Sequence, residues 1–445
     1  MSNSLTKQQK DNIFELAYKM AVAGIQHKKR RFDDIRMSVD MYNGWVRPAL
    51  RGRFSVPMPV MGGFVDTLLS KIDEPIRINF NKGETADYRK ALKVQAAWDK
   101  ESSQTDNDWS DEALTEKKFA IFTGRGIAQN YAESSPYKSH FEIISPWDFF
   151  CEPRGGGKLE NHIFRGKSNI FRDKEQIYET MQNGIYDMAN GRDLLSGSGL
   201  KEKQETVEEL RQKEELLRAL NINTDLSYGY LGSDMYNLTE MELRAFGKRV
   251  YILFDIRAKI WLRCEELKEM RGHDNWTYTS WATHPDGDNF WSKSPCDDMR
   301  PTAEGIQLGI NQLYDAMNIR NWPQRLVDIR RIVDPDQLNW RPYGIIEVNR
   351  APGESLDNYV KTFRDANDAS LPTVQINLLE FLKGFVSRET GVTPSAQGKG
   401  DETQATILVS NLKQVSDRLG LYSKSYIKAY KQRGKLYLLN LKENI

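Results

Sequence analysis

Along residues 5–22 apolar positions return with helical spacing, placing Ile13, Leu16, Ala17 and Met20 on one face. The stretch RGRFSVPMPVMGGFVDTLLSKIDEPIRINF follows from Arg51. Pro57 and Pro59 exclude a helix interior, so the chain enters it extended. From Val60 the apolar set Val60, Phe64, Leu68 and Ile72 predicts a helix that Pro75 stops. Ile76, Ile78 and Phe80 then alternate with Arg77 and Asn79, the period of a half-buried strand. Residues 88–123 read as helices and 124–152 as strands with turns at Gly124 and Gly126. Residues 201–218, KEKQETVEELRQKEELLR, predict a helix whose interleaved charges face solvent. RVYILFDI and IWLRCEEL predict a β-hairpin over 249–267, turning near Ala258 and Lys259, and TYTSWATHP continues as strand.

The last third has a different rhythm. Pro301 suits a first helical position, where its missing N–H costs nothing. Ile306, Ile310, Leu313 and Met317 then form one apolar stripe on a helix of about 20 residues, roughly 30 Å long. Trp322 and Pro323 end it. Residues 324–371 are strand-like and irregular, interrupted by Pro335, Pro342 and Pro352. A second helix begins at Thr373, with Leu378, Leu382 and Phe385 on one face, and stops at Gly391 and Pro394. The polar loop SAQGKGDETQ follows, and Asp401 and Gln404 have capping-box spacing. The helix beyond carries Leu408, Leu412, Val415, Leu419, Tyr422 and Tyr426 as a heptad-like seam. That seam serves either packing within one chain or contact between chains.

Composition narrows the function classes. A chain of 445 residues predicts two or three domains rather than one core. A net charge of +1 argues against tight, sequence-independent DNA binding as the main task unless charge is locally segregated. Cys151, Cys264 and Cys296 lack CxxC spacing and read as free thiols in a reducing cytoplasm. No apolar run approaches the roughly 18 residues of a membrane span, and the N-terminal residues lack an apolar signal core.

Catalytic signatures are missing from the sequence. His27, His140, His162, His273 and His284 do not pair at metal-ligand spacing, so neither a metal site nor a cofactor is expected. Gly155-Gly156-Gly157-Lys158 and Gly398-Lys399 lack the Ser or Thr that completes a phosphate loop and read as flexible turns, and no GxSxG elbow occurs. Pro335-Asp336 with Glu347-Val348-Asn349 lacks the lysine of a nuclease core. Asp286-Gly287-Asp288 reads as a turn. No catalytic residue is assigned, and the chain is expected not to be an enzyme. The basic run Lys28-Lys29-Arg30-Arg31 reads as a solvated helix face, with a phosphate contact as the alternative.

The order of these elements resembles the portal proteins of tailed bacteriophages, in a layout closest to podovirus portals. RGRFSVPMPVMGGFVDTLLSKIDEPIRINF is similar to the portal wing stretch that passes from prolines into a helix and then a strand. FEIISPWDFFCEP is similar to a wing strand ending in a Pro-Trp-Asp turn, and ETGVTPSAQGKGDETQ to the end of the second stem helix with the tunnel loop. The resemblance implies an α+β portal fold: wing 1–299, first stem helix 300–321, clip with β-structure 322–371 and second stem helix 372–392. The tunnel loop is then 393–403, and 404–445 a long helix directed toward a crown that is minimal or lies past Ile445.

The function so implied is a ring, expected to be a dodecamer, that forms a DNA channel at one capsid vertex for packaging and ejection. Its implied partners are further copies of itself, the major capsid protein, scaffolding protein, terminase, head–tail adaptor and tail proteins, and the double-stranded DNA in transit. No membrane is involved. The implied location is the virion, after assembly in the host cytoplasm. Gln397, Gly398, Lys399, Gly400, Asp401 and Glu402 would form the tunnel loop, with Lys399 facing DNA. Arg325, Arg330 and Arg331 of the clip would meet DNA or docked partners. The rival readings are another structural virion component, such as an adaptor or minor capsid protein, and a nucleic-acid enzyme.

Overall fold

The computed structural model of the protein describes residues 5–44, 59, 61–72, 78–81, 88–102, 109–134, 137–197, 235–321, 325–327, 352, 360–362, 377, 380 and 405–444. Helices and antiparallel strands are mixed along them, so the chain is α+β. It divides into two compact units. The first holds Met1–Trp45, Pro59–Pro301 and Ser387–Ile445, and the second holds Val46–Met58 and Thr302–Val386.

The first unit is built on two antiparallel sheets. The larger contains β3 (Phe149–Cys151), β4 (Phe164–Asp173), β5 (Met235–Ala245), β6 (Lys248–Asp255) and β7 (Ile260–Glu266), paired in that order. Side chains alternate across each strand. One face places Met241, Leu243, Val250, Ile252, Phe254 and Trp261 beneath Ile13, Ala17 and Ala21 of α1 (Lys7–Tyr42). The other face sets Leu238, Leu253 and Leu262 against α5 (Lys174–Gln182) and α6 (Met188–Ser196), through Ile177, Met181 and Leu194. The smaller sheet has β1 (Arg125–Ser134) between β2 (Tyr137–Ile143) and β8 (Tyr278–Ala282).

Four helices surround the smaller sheet's end of the unit: α2 (Gly62–Ile72), α3 (Tyr88–Ser102), α4 (Trp109–Thr123) and the 40-residue α9 (Ala405–Asn444). An aromatic cluster joins α3, α4 and α9. Trp98 lies edge-on to Trp109 at 4.9 Å and to Tyr437 at 5.0 Å between ring centres. A one-turn helix, α7 (Leu267–Arg271), follows β7.

Several expectations are met in detail. The buried residues Phe64, Leu68 and Ile72 lie in α2, and β6 and β7 form the expected hairpin, with Lys259 in the left-handed region at φ 55°. Cys151, Cys264 and Cys296 are free and buried.

Other expectations are corrected. Leu16 is 39% exposed, because the buried face of α1 runs through Ile13, Ala17 and Ala21 instead. Residues 78–80 form no ladder, since the Phe80 N–H donates to the Gln95 side chain at 2.9 Å. The basic run in α1 is not simply solvated. Lys28 is buried and donates to the Trp147 carbonyl, while Arg31 pairs with Asp297. The glycine turn before Lys158 is packed rather than loose, with the Gly157 N–H donating to the Gly287 carbonyl at 3.0 Å.

The helix expected from Pro301 begins six residues earlier, as α8 (Pro295–Asn321). Ser294 caps it: its Oγ accepts the Asp297 N–H at 3.0 Å, and the Asp297 carboxylate accepts the Ser294 N–H at 2.7 Å. This reciprocal cap fixes the start, and Pro301 is accommodated in the second turn. The segment Pro59–Pro301 of the first unit ends within this helix, whose later residues belong to the second.

In the second unit the α8 stripe buries Ala303 and Ile306 and leaves Leu308 61% exposed. β9 (Arg325–Val327) pairs antiparallel with β10 (Val360–Thr362), Arg325 opposite Thr362. Residues 201–218, and 373–391 apart from Asn377 and Glu380, lie outside the described residues.

Candidate functional site

Of the residues singled out for function, Gln397, Gly398, Lys399, Gly400, Asp401, Glu402, Arg330 and Arg331 lie outside the described residues. Arg325 opens β9. The described chemistry concentrates instead in the first unit, at three places to which the sequence analysis assigned no function.

The first place lies where the two sheets meet. In β4 and β5, Arg165 stands opposite Glu242 and Lys167 opposite Glu240, so two cross-strand pairs of opposite charge share one face. That face is covered by the smaller sheet, and all four residues are buried or nearly so. Glu240 accepts hydrogen bonds from Tyr278 at 2.5 Å, Gln129 at 3.0 Å and Tyr251 at 3.1 Å. Lys167 lies 3.7 Å from Glu240 and donates to Glu142 at 2.8 Å and Gln129 at 3.1 Å. Glu242 accepts from the Thr277 backbone at 3.1 Å and the Thr277 hydroxyl at 2.5 Å.

These contacts decide the ionisation of each group. Burial alone would raise the Glu240 carboxyl, but Lys167 and the Tyr278 and Gln129 donors outweigh it and hold it below its ordinary 4.5. Burial raises Glu242 above 4.5 against the opposing pull of Thr277 and Arg165. Burial, reinforced by Glu240, pushes Tyr251 and Tyr278 well up. The arrangement fixes the register of β4, β5, β1 and β8, because a slip would strand a buried charge.

Opposite pH dependences follow. A raised carboxyl stabilises the fold most below its unfolded value and loses that contribution as pH rises through its folded value. A depressed one contributes above its unfolded value and loses that as pH falls. Stability of the unsubstituted protein relative to Glu242→Gln therefore rises as pH is lowered toward 4.5. Relative to Glu240→Gln it falls on further acidification. Urea denaturation across this range checks both signs.

The second place is the anchor of α9. Arg433 and Glu116 of α4 form an ion pair at 1% and 0% side-chain exposure. Arg433 Nε also donates to the Thr279 hydroxyl at 3.2 Å, and its guanidinium lies 4.8 Å from the Phe141 ring centre. Burial alone would lower the Arg433 pKa, but Glu116 and Tyr426 raise it.

The third place is a cleft of about 350 Å³ beside that anchor, between α9, β8 and the turn at Gly157. Arg125 lines it and donates through Nη2 to the Gly157 carbonyl at 2.8 Å and through Nε to the Phe290 carbonyl. Burial pulls its pKa down to about 10. Lys158, Lys424 and Lys428 line the cleft, and Glu160 there accepts from Gln432. The cleft is cationic and suits an anion.

Among the described residues no group of three or more His, Cys, Asp or Glu is arranged to hold a metal ion. None of the described helices is long and apolar enough to cross a membrane. Neither a protein-family model nor a curated protein matches the chain.

Proposed function

We propose that this chain is the subunit of a phage portal, a ring through which double-stranded DNA enters and leaves a capsid. The order of elements in the last third carries the reading. The long helix α8 leads into the small antiparallel pair β9–β10, which falls within the span 322–371 expected for a clip, and the 40-residue helix α9 comes last. The compact second unit includes Thr302–Val386, so the helix-and-clip region is set off from the rest of the chain. The mixed α+β first unit is consistent with a wing.

In a cyclic assembly every residue recurs once per subunit, so one lysine becomes a belt of charge. Lys399 in the Gly-Lys-Gly loop supplies such a belt facing DNA. Gly398 and Gly400 flank it, and Asp401 and Glu402 temper its grip. Arg325, Arg330 and Arg331 serve partner docking at the clip. Weak phosphate attraction suits a channel, since each tight contact would oppose sliding.

The test of this role is Lys399→Glu. The variant is expected to assemble as the unsubstituted chain does while packaging or retaining less DNA, measured as nuclease-protected DNA per particle. Undiminished packaging would remove the assignment.

A further inference from the structure

We infer that one face of α9 is a binding ridge for the phosphate backbone of duplex nucleic acid. Lys424, Lys428, Lys431, Lys435 and Lys442 are all exposed. At 100° per residue they fall within an arc of about 60° and extend about 27 Å along the axis. No acidic residue occurs between Lys424 and Lys442. None of the five has a carboxylate partner among the described residues.

A merely solvated helix face interleaves its charges, an order that the sequence of residues 201–218 shows and this face does not. Here like charges stand at i,i+3 and i,i+4, a placement that disfavours the isolated helix. The opposite face is held down by Tyr426, Arg433, Leu436 and Tyr437, all buried, so the lysines cannot turn away from one another. With a net charge of +1 for the whole chain, five such lysines leave the remainder net acidic. The cationic charge is locally segregated.

The composition of the ridge selects the occupant. Protein interfaces are depleted in lysine and anchored by aromatic residues and arginine. The charged positions of this ridge are all lysine, the compact point charge that neutralises phosphates, with the exposed Leu421, Ile427 and Leu438 at its flanks. The five lysines present point charges rather than the planar paired donor groups suited to reading base edges. Contact is restricted to the backbone, which makes binding independent of base sequence. Lys158 across the cleft extends the cationic surface. The inference rests on the first unit alone and does not depend on ring formation or on Lys399.

Fluorescence anisotropy of a labelled duplex of random sequence, titrated with the full chain at several salt concentrations, tests it. The logarithm of affinity should fall with the logarithm of salt with a slope of about −4 or steeper, near −0.9 per lysine engaged. Lys424→Glu/Lys431→Glu should lower affinity at least ~10-fold and make the slope shallower by about 2. The milder Lys424→Gln/Lys431→Gln, with an unchanged melting temperature, should make the same change in slope. Reversal of the exposed Lys90 and Lys174 should leave binding as it was. Equal losses from both pairs of reversals, unchanged binding in the ridge variants, or ridge-dependent binding of polyglutamate but not duplex would each overturn the assignment. The subunit number of the same samples, measured separately, reports on the ring and leaves this result unaffected.

Discussion

Replacing Arg433 by methionine is expected to lower the stability of the first unit by ~3–5 kcal/mol, and Glu116→Leu should do the same. The double variant should lose far less than the two single losses added together. The reason is desolvation. Glu116 and Arg433 are 0% and 1% exposed, so each charge is tolerated only because the other is there. Removing one strands its partner among Phe141, Tyr426 and Tyr430. Removing both leaves an apolar contact between α4 and α9 that these rings readily accept. Urea denaturation of the four proteins gives the coupling energy directly. Additive losses would mean that the pair is not what fixes α9.

Gly157→Ala is the second large effect. A Cβ at Gly157 would stand 1.6 Å from the Asp286 carbonyl oxygen and 2.8 Å from its carbon. These are backbone atoms, so no rotamer change relieves the clash, and the 285–289 loop has to move. A loss of about 3 kcal/mol or more is expected. Gly63→Ala in α2 provides the comparison. Nothing lies within 4 Å of a Cβ there, and an alanine in a helix should gain about 0.5–1 kcal/mol. Thermal melts of the two variants should therefore shift in opposite directions. Equal behaviour would mean that the turn at Gly157 is not packed against Asp286.

Elements governed by local period were legible in the sequence. The hairpin β6–β7, the helix α2 and the stripe at Ile306 each follow from spacing that any half-buried strand or helix must show. The start of α8 was less so. Pro301 looks like a first-turn proline until the reciprocal cap of Ser294 and Asp297 sets the helix start about two turns earlier. Met235–Ala245 shows how tertiary structure overrides local pattern. Glu240 and Glu242 alternate with Met241 and Leu243 as in a strand wet on one side, yet the smaller sheet covers that side and supplies Tyr278, Gln129 and Thr277 as donors.

The lysines at 424, 428, 431, 435 and 442 are plain in the sequence. What makes them a ridge is the burial of Arg433 and Tyr437 behind them, a matter of long-range packing with α4 and β8. The seam ending at Tyr422 and Tyr426 resolves in part for the same reason. Tyr426 packs within the chain, edge-on to Trp281 at 5.2 Å between ring centres. The proposed portal role rests on the order of elements rather than on any one side chain, and assembly is where that order has its consequence.

Mass photometry of the purified chain, with negative-stain imaging of the same sample, is the most direct measurement of the proposed role. The account predicts a closed ring of about a dozen copies with a central hole, as cyclic symmetry requires of a channel. A particle of one chain's mass at all concentrations, without rings, would contradict it.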